Sequence, residues 1–150
     1  MLINFIDFKK AFDNVHRESL WKIMKSYGIP QRIIDIIQNF YDGSRCAVVG
    51  HGGEVGEWFQ LITGVRQGCV LSPLIFALVV DWVMTRVMSV KDAGIRWINV
   101  DRLGDLDFAD DIAMFQNSWK GMKELTDRTQ KRAAAKFGLN CTSTQKRQRS

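Results

Sequence analysis

The chain predicts an α+β fold, an antiparallel sheet with helices packed on one face. Three observations lead there. Short apolar runs at 2–7 and on either side of Asp110-Asp111 have the length and composition of strands. Apolar residues recur at helical spacing in the stretches 17–41, 74–88 and 120–136. The resulting order is strand, helices, hairpin, helix, hairpin, helix, which suits helices gathered on one face of an antiparallel sheet.

Each element has its own local reason. The run over 2–7 ends at Asp7. Leu20, Ile23, Met24 and Tyr27 share one helical face, and Gly28 stops that helix. Pro30 opens the next, with Ile33, Ile34, Ile37, Phe40 and Tyr41 on its apolar face. Strands over 46–49 and 57–63 flank Gly50-His51-Gly52-Gly53; no Lys-Ser/Thr follows these glycines, so they read as a hairpin turn rather than a phosphate loop. Ser72 is a natural N-cap and Pro73 a natural first residue for the apolar helix that runs to about Met88. A hairpin over 104–116 then carries Asp110-Asp111, and Lys120 to Lys136 is the last helix.

Composition narrows the classes. A length of 150 residues is one domain's worth, and 46% hydrophobic with 25% charged residues is ordinary for a soluble globular chain. The longest apolar run, Leu74 to Val80, falls far short of the ~20 residues that span a bilayer. Without a basic, apolar leader the chain reads as intracellular, in nucleus or cytoplasm, and not secreted. Cys46, Cys69 and Cys141 form no Cys-x-x-Cys pair and read as free thiols. His16 and His51 have no second ligand at metal spacing. The net charge of +5 is uneven: residues 128–150 hold seven basic residues and no acid, leaving 14 basic against 16 acidic residues before them. A basic end beside an acidic site suits a polyanion held at its phosphates, and suits equally a solvated terminus.

The chemistry rests on carboxylates. Side chains alternate along a strand, so Asp110 and Asp111 serve one site only where the chain turns. Two such charges at ~4 Å repel by roughly 1 kcal/mol in water and about 4 at an effective dielectric of 20. A divalent cation would remove that repulsion; a plain solvated turn is the other reading, since Asp is common in turns. Two further segments weigh on the choice. One is Asp7-Phe8-Lys9-Lys10-Ala11-Phe12-Asp13, and the other is Gly64-Val65-Arg66-Gln67-Gly68-Cys69-Val70-Leu71-Ser72-Pro73.

Together with Phe108-Ala109-Asp110-Asp111, these blocks resemble in order and spacing the palm of reverse transcriptases, and most nearly the non-LTR (LINE-like) retrotransposon group. The resemblance covers about residues 2–140. It implies a polymerase palm fold over 1–140, with fingers and thumb missing; residues 141–150, basic and poor in apolar side chains, read as a disordered tail. It implies RNA-directed DNA synthesis, with Asp7, Asp110 and Asp111 catalytic and two Mg²⁺ ions (Mn²⁺ an alternative) held by Asp7, Asp110, Asp111 and the Phe8 carbonyl. Ala11, Phe12, Gln67 and Gly68 would meet nucleotide or template, Phe12 by closing against the ribose 2′ position. The partners implied are an RNA template, a DNA primer and dNTPs. Asp105 and Asp107 read as hairpin charges. The C-terminal end departs from the family: Thr142 stands where Asn is usual, Gln145 where Lys is usual, and Lys146 falls one position late for a general acid.

Other readings stay open at this point. The chain could be a dead retroelement remnant that binds nucleic acid through its basic end. The helices over 17–41 could form a helix-turn-helix, although Ile33-Ile34-Asp35-Ile36-Ile37 is too apolar to read base edges. The five tryptophans could stack bases, but their apolar neighbours favour core packing.

Overall fold

The computed structural model describes residues 1–90, 93–97 and 100–147. In chain order the elements are β1 (Leu2–Phe8), α1 (Ala11–Asn14), α2 (Arg17–Ser26), α3 (Gln31–Tyr41), β2 (Arg45–Cys46) and β3 (Phe59–Gln60). There follow α4 (Ser72–Met88), β4 (Ile95–Trp97), β5 (Val100–Leu103), β6 (Asp105–Phe108), β7 (Asp111–Gln116), α5 (Trp119–Phe137) and β8 (Cys141–Arg147). The main sheet runs β6-β7-β1-β8, and β1 is antiparallel to both neighbours. β2 with β3 and β4 with β5 form separate two-stranded ribbons.

Alternation along β1 sets the layers. Leu2, Asn4, Ile6 and Phe8 are buried, whereas Phe5 and Asp7 are exposed. Ile112 and Met114 of β7 join the buried side. Against it lies α5, whose Met122, Leu125, Thr129, Ala133 and Phe137 recur at three and four residues and are buried. Buried Asn4 ties the layers by donating to the Thr126 hydroxyl at 2.7 Å. α4 packs outside α5 and buries residues around much of its circumference, as its nearly continuous apolar sequence requires. α2 contacts both, and α3 contacts α2. Among the described residues no helix packs on the opposite sheet face, and Phe5, Leu106 and Phe108 stand exposed there.

Several expectations need correction. The hairpin strands expected over 46–49 and 57–63 shorten to two residues each, plus a bridge between Val49 and Val55. On α3 only Ile34, Ile37 and Tyr41 are buried; Ile33, Ile36 and Phe40 face out, because α2 covers only one side. Ser72 does not cap α4. It lies inside the helix, buried, with its hydroxyl 3.3 Å from that of Tyr41. Of the tryptophans only Trp21 and Trp82 pack on the core, while Trp58, Trp97 and Trp119 are more than half exposed. The β4–β5 ribbon was not expected.

The tail is the largest correction. Residues 141–147 form β8, in register with β1 from Phe8↔Cys141 to Leu2↔Arg147, instead of a disordered segment. Thr142 and Thr144 are good strand residues, and β1 would otherwise offer a bare edge. Residues 148–150 and the Lys146 side chain lie outside what is described.

Candidate active site

The site forms at the C-terminal end of β1. Asp7 is directly opposite Asp111 of β7, so both carboxylates leave the same uncovered face of the sheet. Asp110 is next to Asp111 in a two-residue turn, because β6 and β7 close with Phe108 opposite Asp111. Ala109, the first turn residue, has φ 55, the left-handed geometry that tight hairpins demand. The turn lets two consecutive aspartates share one end of the sheet. Phe8 is buried with its ring edge-on to Phe76 at 6.4 Å.

Past Phe8 the chain turns through Lys10, at φ 49, into the single turn of α1. Ala11 is buried, and Phe12 is half-buried with its ring stacked on Phe76 at 4.9 Å between centres. This turn is bonded to the segment carrying Gln67. Val65 N–H donates to Phe12 O at 2.7 Å, Gly64 N–H to Val15 O at 2.9 Å, and the Thr63 hydroxyl to Asp13 O at 3.1 Å. Gly64 has φ +79, and a Cβ there would sit 2.6 Å from Asp13 O. Only glycine permits so close a backbone approach.

Gln67 and Gly68 are both exposed. The Gln67 amide donates to the Asp13 carboxylate at 3.4 Å, a long contact that still orients it. Gly68, at φ +81, has open space where a side chain would be. A cavity of about 680 Å³ opens behind Gln67 and includes Asp13, Arg66 and Phe59 in its wall. Arg66 donates to the Ser44 hydroxyl at 2.9 Å. The structure thus gathers Asp7, Asp110 and Asp111 at one end of β1, and Phe12 with Gln67 beside it. Sequence reasoning gave Asp13 no role; that it follows Phe12 directly was the available signal.

Among the described residues no cation pairs with Asp7, Asp110 or Asp111, and no three His, Cys, Asp or Glu side chains converge tightly enough to enclose an ion. That still fits Mg²⁺, which is commonly held by one or two carboxylates plus substrate phosphates and water rather than by a full protein cage. The donors are hard oxygens of like charge on an open face, which is the chemistry such an ion requires.

Asp107 is exposed, as a hairpin charge would be, while Asp105 is half-buried, and both carboxyls are perturbed. Their register opposite Met114 and Ile112 points them to the helix side of the sheet, while Leu106 and Phe108 point to the open side. Burial pushes the Asp107 carboxyl up to about 7, helped by the charge and hydrogen bond of Asp105 and by Asp81 of α4. Asp105 is also raised, first by burial. Asp81 in turn accepts from the Tyr27 hydroxyl. Inward charges on an edge strand discourage pairing with another chain.

The sign of the pH effect follows. Folded Asp107 keeps its proton where the unfolded residue, near 3.9, has lost it. Stability is therefore full below about pH 4 and declines as pH rises towards 7. Solvent reaches this edge strand, so the expected change is only about 1 kcal/mol. Urea midpoints at pH 5 and pH 8 should differ in the parent and converge in Asp107→Asn. Equal pH slopes in the two proteins would rule out this source.

No helix among the described residues is long and apolar enough to cross a membrane. The family model for reverse transcriptase (RNA-dependent DNA polymerase) matches residues 2–149. The chain is 32% identical over 124 residues to a Pol polyprotein from the type-2 retrotransposable element R2DM of Drosophila melanogaster, covering 83% of this chain and 11% of the relative. It is 31% identical over 127 residues to an R2 element polyprotein of Nasonia vitripennis, covering 82% of this chain and 12% of that one. It thus spans about a tenth of the length of these relatives. Among solved structures, apo telomerase from Candida tropicalis matches with TM-score 0.64 at 15% identity, over 99% of this chain and 32% of that one. Telomerase from the same organism, in complex with a fragment of telomeric RNA, matches with TM-score 0.67 at 14% identity, over 96% and 26%. These two likenesses concern the fold, an α+β polymerase palm. The ordered blocks around Asp7, Gln67 and Asp110, the sheet that joins two of them, and the match along nearly the whole chain agree that this chain belongs to the reverse transcriptase family, on its non-LTR retrotransposon side.

Proposed function

We propose that this chain is the palm of an RNA-directed DNA polymerase and carries its catalytic carboxylates. The reaction joins a primer 3′-hydroxyl to the α-phosphorus of a dNTP templated by RNA, and pyrophosphate leaves. One observation carries the reading: Asp7 faces Asp111 across two strands, with Asp110 in the adjoining turn, on a face no helix covers.

Asp7, Asp110 and Asp111 would hold two Mg²⁺ ions, with the Phe8 carbonyl as a further oxygen. When bound, such a pair supplies charge stabilisation at the attacking and leaving oxygens. The chain's own residues do the rest. Phe12, its ring stacked on Phe76, would close against the ribose 2′ position and so favour dNTPs. Asp13 occupies the donor end of the Gln67 amide and leaves its oxygen for a base or sugar donor. Gly68 offers bare backbone where a nucleotide passes. Buried Ala11 leaves the turn beneath Phe12 compact.

The test is primer extension on an RNA template with dNTPs and Mg²⁺, beside the Asp110→Asn/Asp111→Asn double variant. The parent should extend and the variant should not. A folded parent that extends nothing would defeat the reading for this chain.

A further inference from the structure

Arg17 begins α2 and sends its guanidinium to backbone carbonyls from two other segments. Nε donates to Gly64 O at 2.9 Å, Nη1 to Leu61 O at 2.7 Å and to Tyr41 O at 3.2 Å, and Nη2 to Thr63 O at 3.1 Å. Its central carbon also lies 5.0 Å from the centre of the Tyr41 ring. One side chain therefore joins the start of α2, the end of α3 and the stretch that leads into Gln67.

The physical need is clear. Residues 61–64 lie in neither helix nor strand, and their carbonyls require donors. A planar fork spreads five N–H donors across a wide arc, whereas an ammonium group offers only three from a single point. Arg17 follows the Phe12 turn by only five positions, and Gly64 and Val65 are bonded to that same turn. The guanidinium therefore fixes how far the Gln67 side stands from the Phe12 side.

We propose that Arg17 is the positioning residue of the nucleotide site, holding the Leu61–Gly64 backbone so that Gln67 and Phe12 address one nucleotide. This rests on the polymerase reading given above. Arg17 touches no reacting atom; it acts through the loop.

Arg17→Met and Arg17→Lys test it, by hydrogen exchange and by steady-state primer extension. In Arg17→Met, protection of the Leu61, Gly64 and Val65 amides should fall by about tenfold, the factor that one charge-assisted hydrogen bond carries, with β1 and β7 amides unchanged. The KM for dNTP should rise by roughly tenfold with kcat nearly constant, the mark of lost ground-state binding. Arg17→Lys should behave like Arg17→Met. The proposal is overturned by unchanged loop protection, by equal loosening of β1 and β7, by a drop in kcat at constant KM, or by full recovery in the Lys variant. A parent that extends no primer defeats the polymerase reading instead, and the exchange comparison then decides the clamp alone.

Discussion

Asp7→Asn is expected to lower primer extension by roughly 10³-fold or more, while making the metal-free chain slightly more stable. The loss follows from removing a ligand that would help to supply several kcal/mol of charge stabilisation to the transition state. The gain follows from the register. Asp7 and Asp111 are directly opposite, and like charges so placed are destabilising by about 0.2–1 kcal/mol. For a chain of this size that corresponds to a rise in Tm of about 0.5–4 °C in EDTA. Adding Mg²⁺ should then stabilise the parent more than the variant, because only a ligand that binds the folded state shifts the transition. Thermal melts with EDTA and across a Mg²⁺ titration check this without any turnover. A lower Tm for the variant in EDTA, or an identical Mg²⁺ response, would remove Asp7 from the proposed ion site.

Gly64→Ala should be strongly destabilising for a single added methyl. The added Cβ would lie 2.6 Å from Asp13 O and 2.8 Å from Phe12 O, both backbone atoms that cannot rotate away. Left-handed backbone adds roughly 1–2 kcal/mol for a non-glycine residue, and overpacking adds about 1–3 kcal/mol. The sum, about 2–5 kcal/mol, is a large share of the ~5–15 kcal/mol that a domain has in total. Gly68→Ala is the control. Its φ of +81 is nearly the same, but nothing lies within 4 Å of the new methyl. It should therefore show only the conformational part, about 1–2 kcal/mol. Urea denaturation of both variants separates the two contributions. Equal losses would mean that the close approach of the 64–67 segment to α1 contributes nothing.

How far the sequence could be read depended on the range of the interaction. β1, α2, α4 and α5 are written in local periodicity and in stops such as Gly28, and they stand within a few residues of expectation. The Asp110-Asp111 turn was readable because side-chain alternation forbids two adjacent carboxylates from sharing a strand face. What escaped was set elsewhere in the fold. Ile33 and Phe40 obey helical spacing but lie on the side of α3 that α2 does not reach. Asp105 looks like a solvated charge until the register opposite Met114 half-buries it on the helix side. Ser72 has the right type for a cap, but α4 starts at it rather than after it. Arg17 resembles any arginine at a helix start, because the carbonyls it bonds lie 24 to 47 residues away.

The placing of β1 also determines when this domain can assemble. Its two partners in the sheet are β7 and β8, which begin at Asp111 and Cys141, so β1 has no sheet neighbour until more than a hundred further residues have been made. At about 5–20 residues per second, a ribosome leaves Leu2, Ile6 and Phe8 unpaired for on the order of ten seconds. Closure then spans more than a hundred residues of chain, the kind of long-range pairing that makes folding slow. During that wait the nascent strand is open to chaperones and to other unfinished copies, and the carboxylate pair does not exist until β7 has emerged.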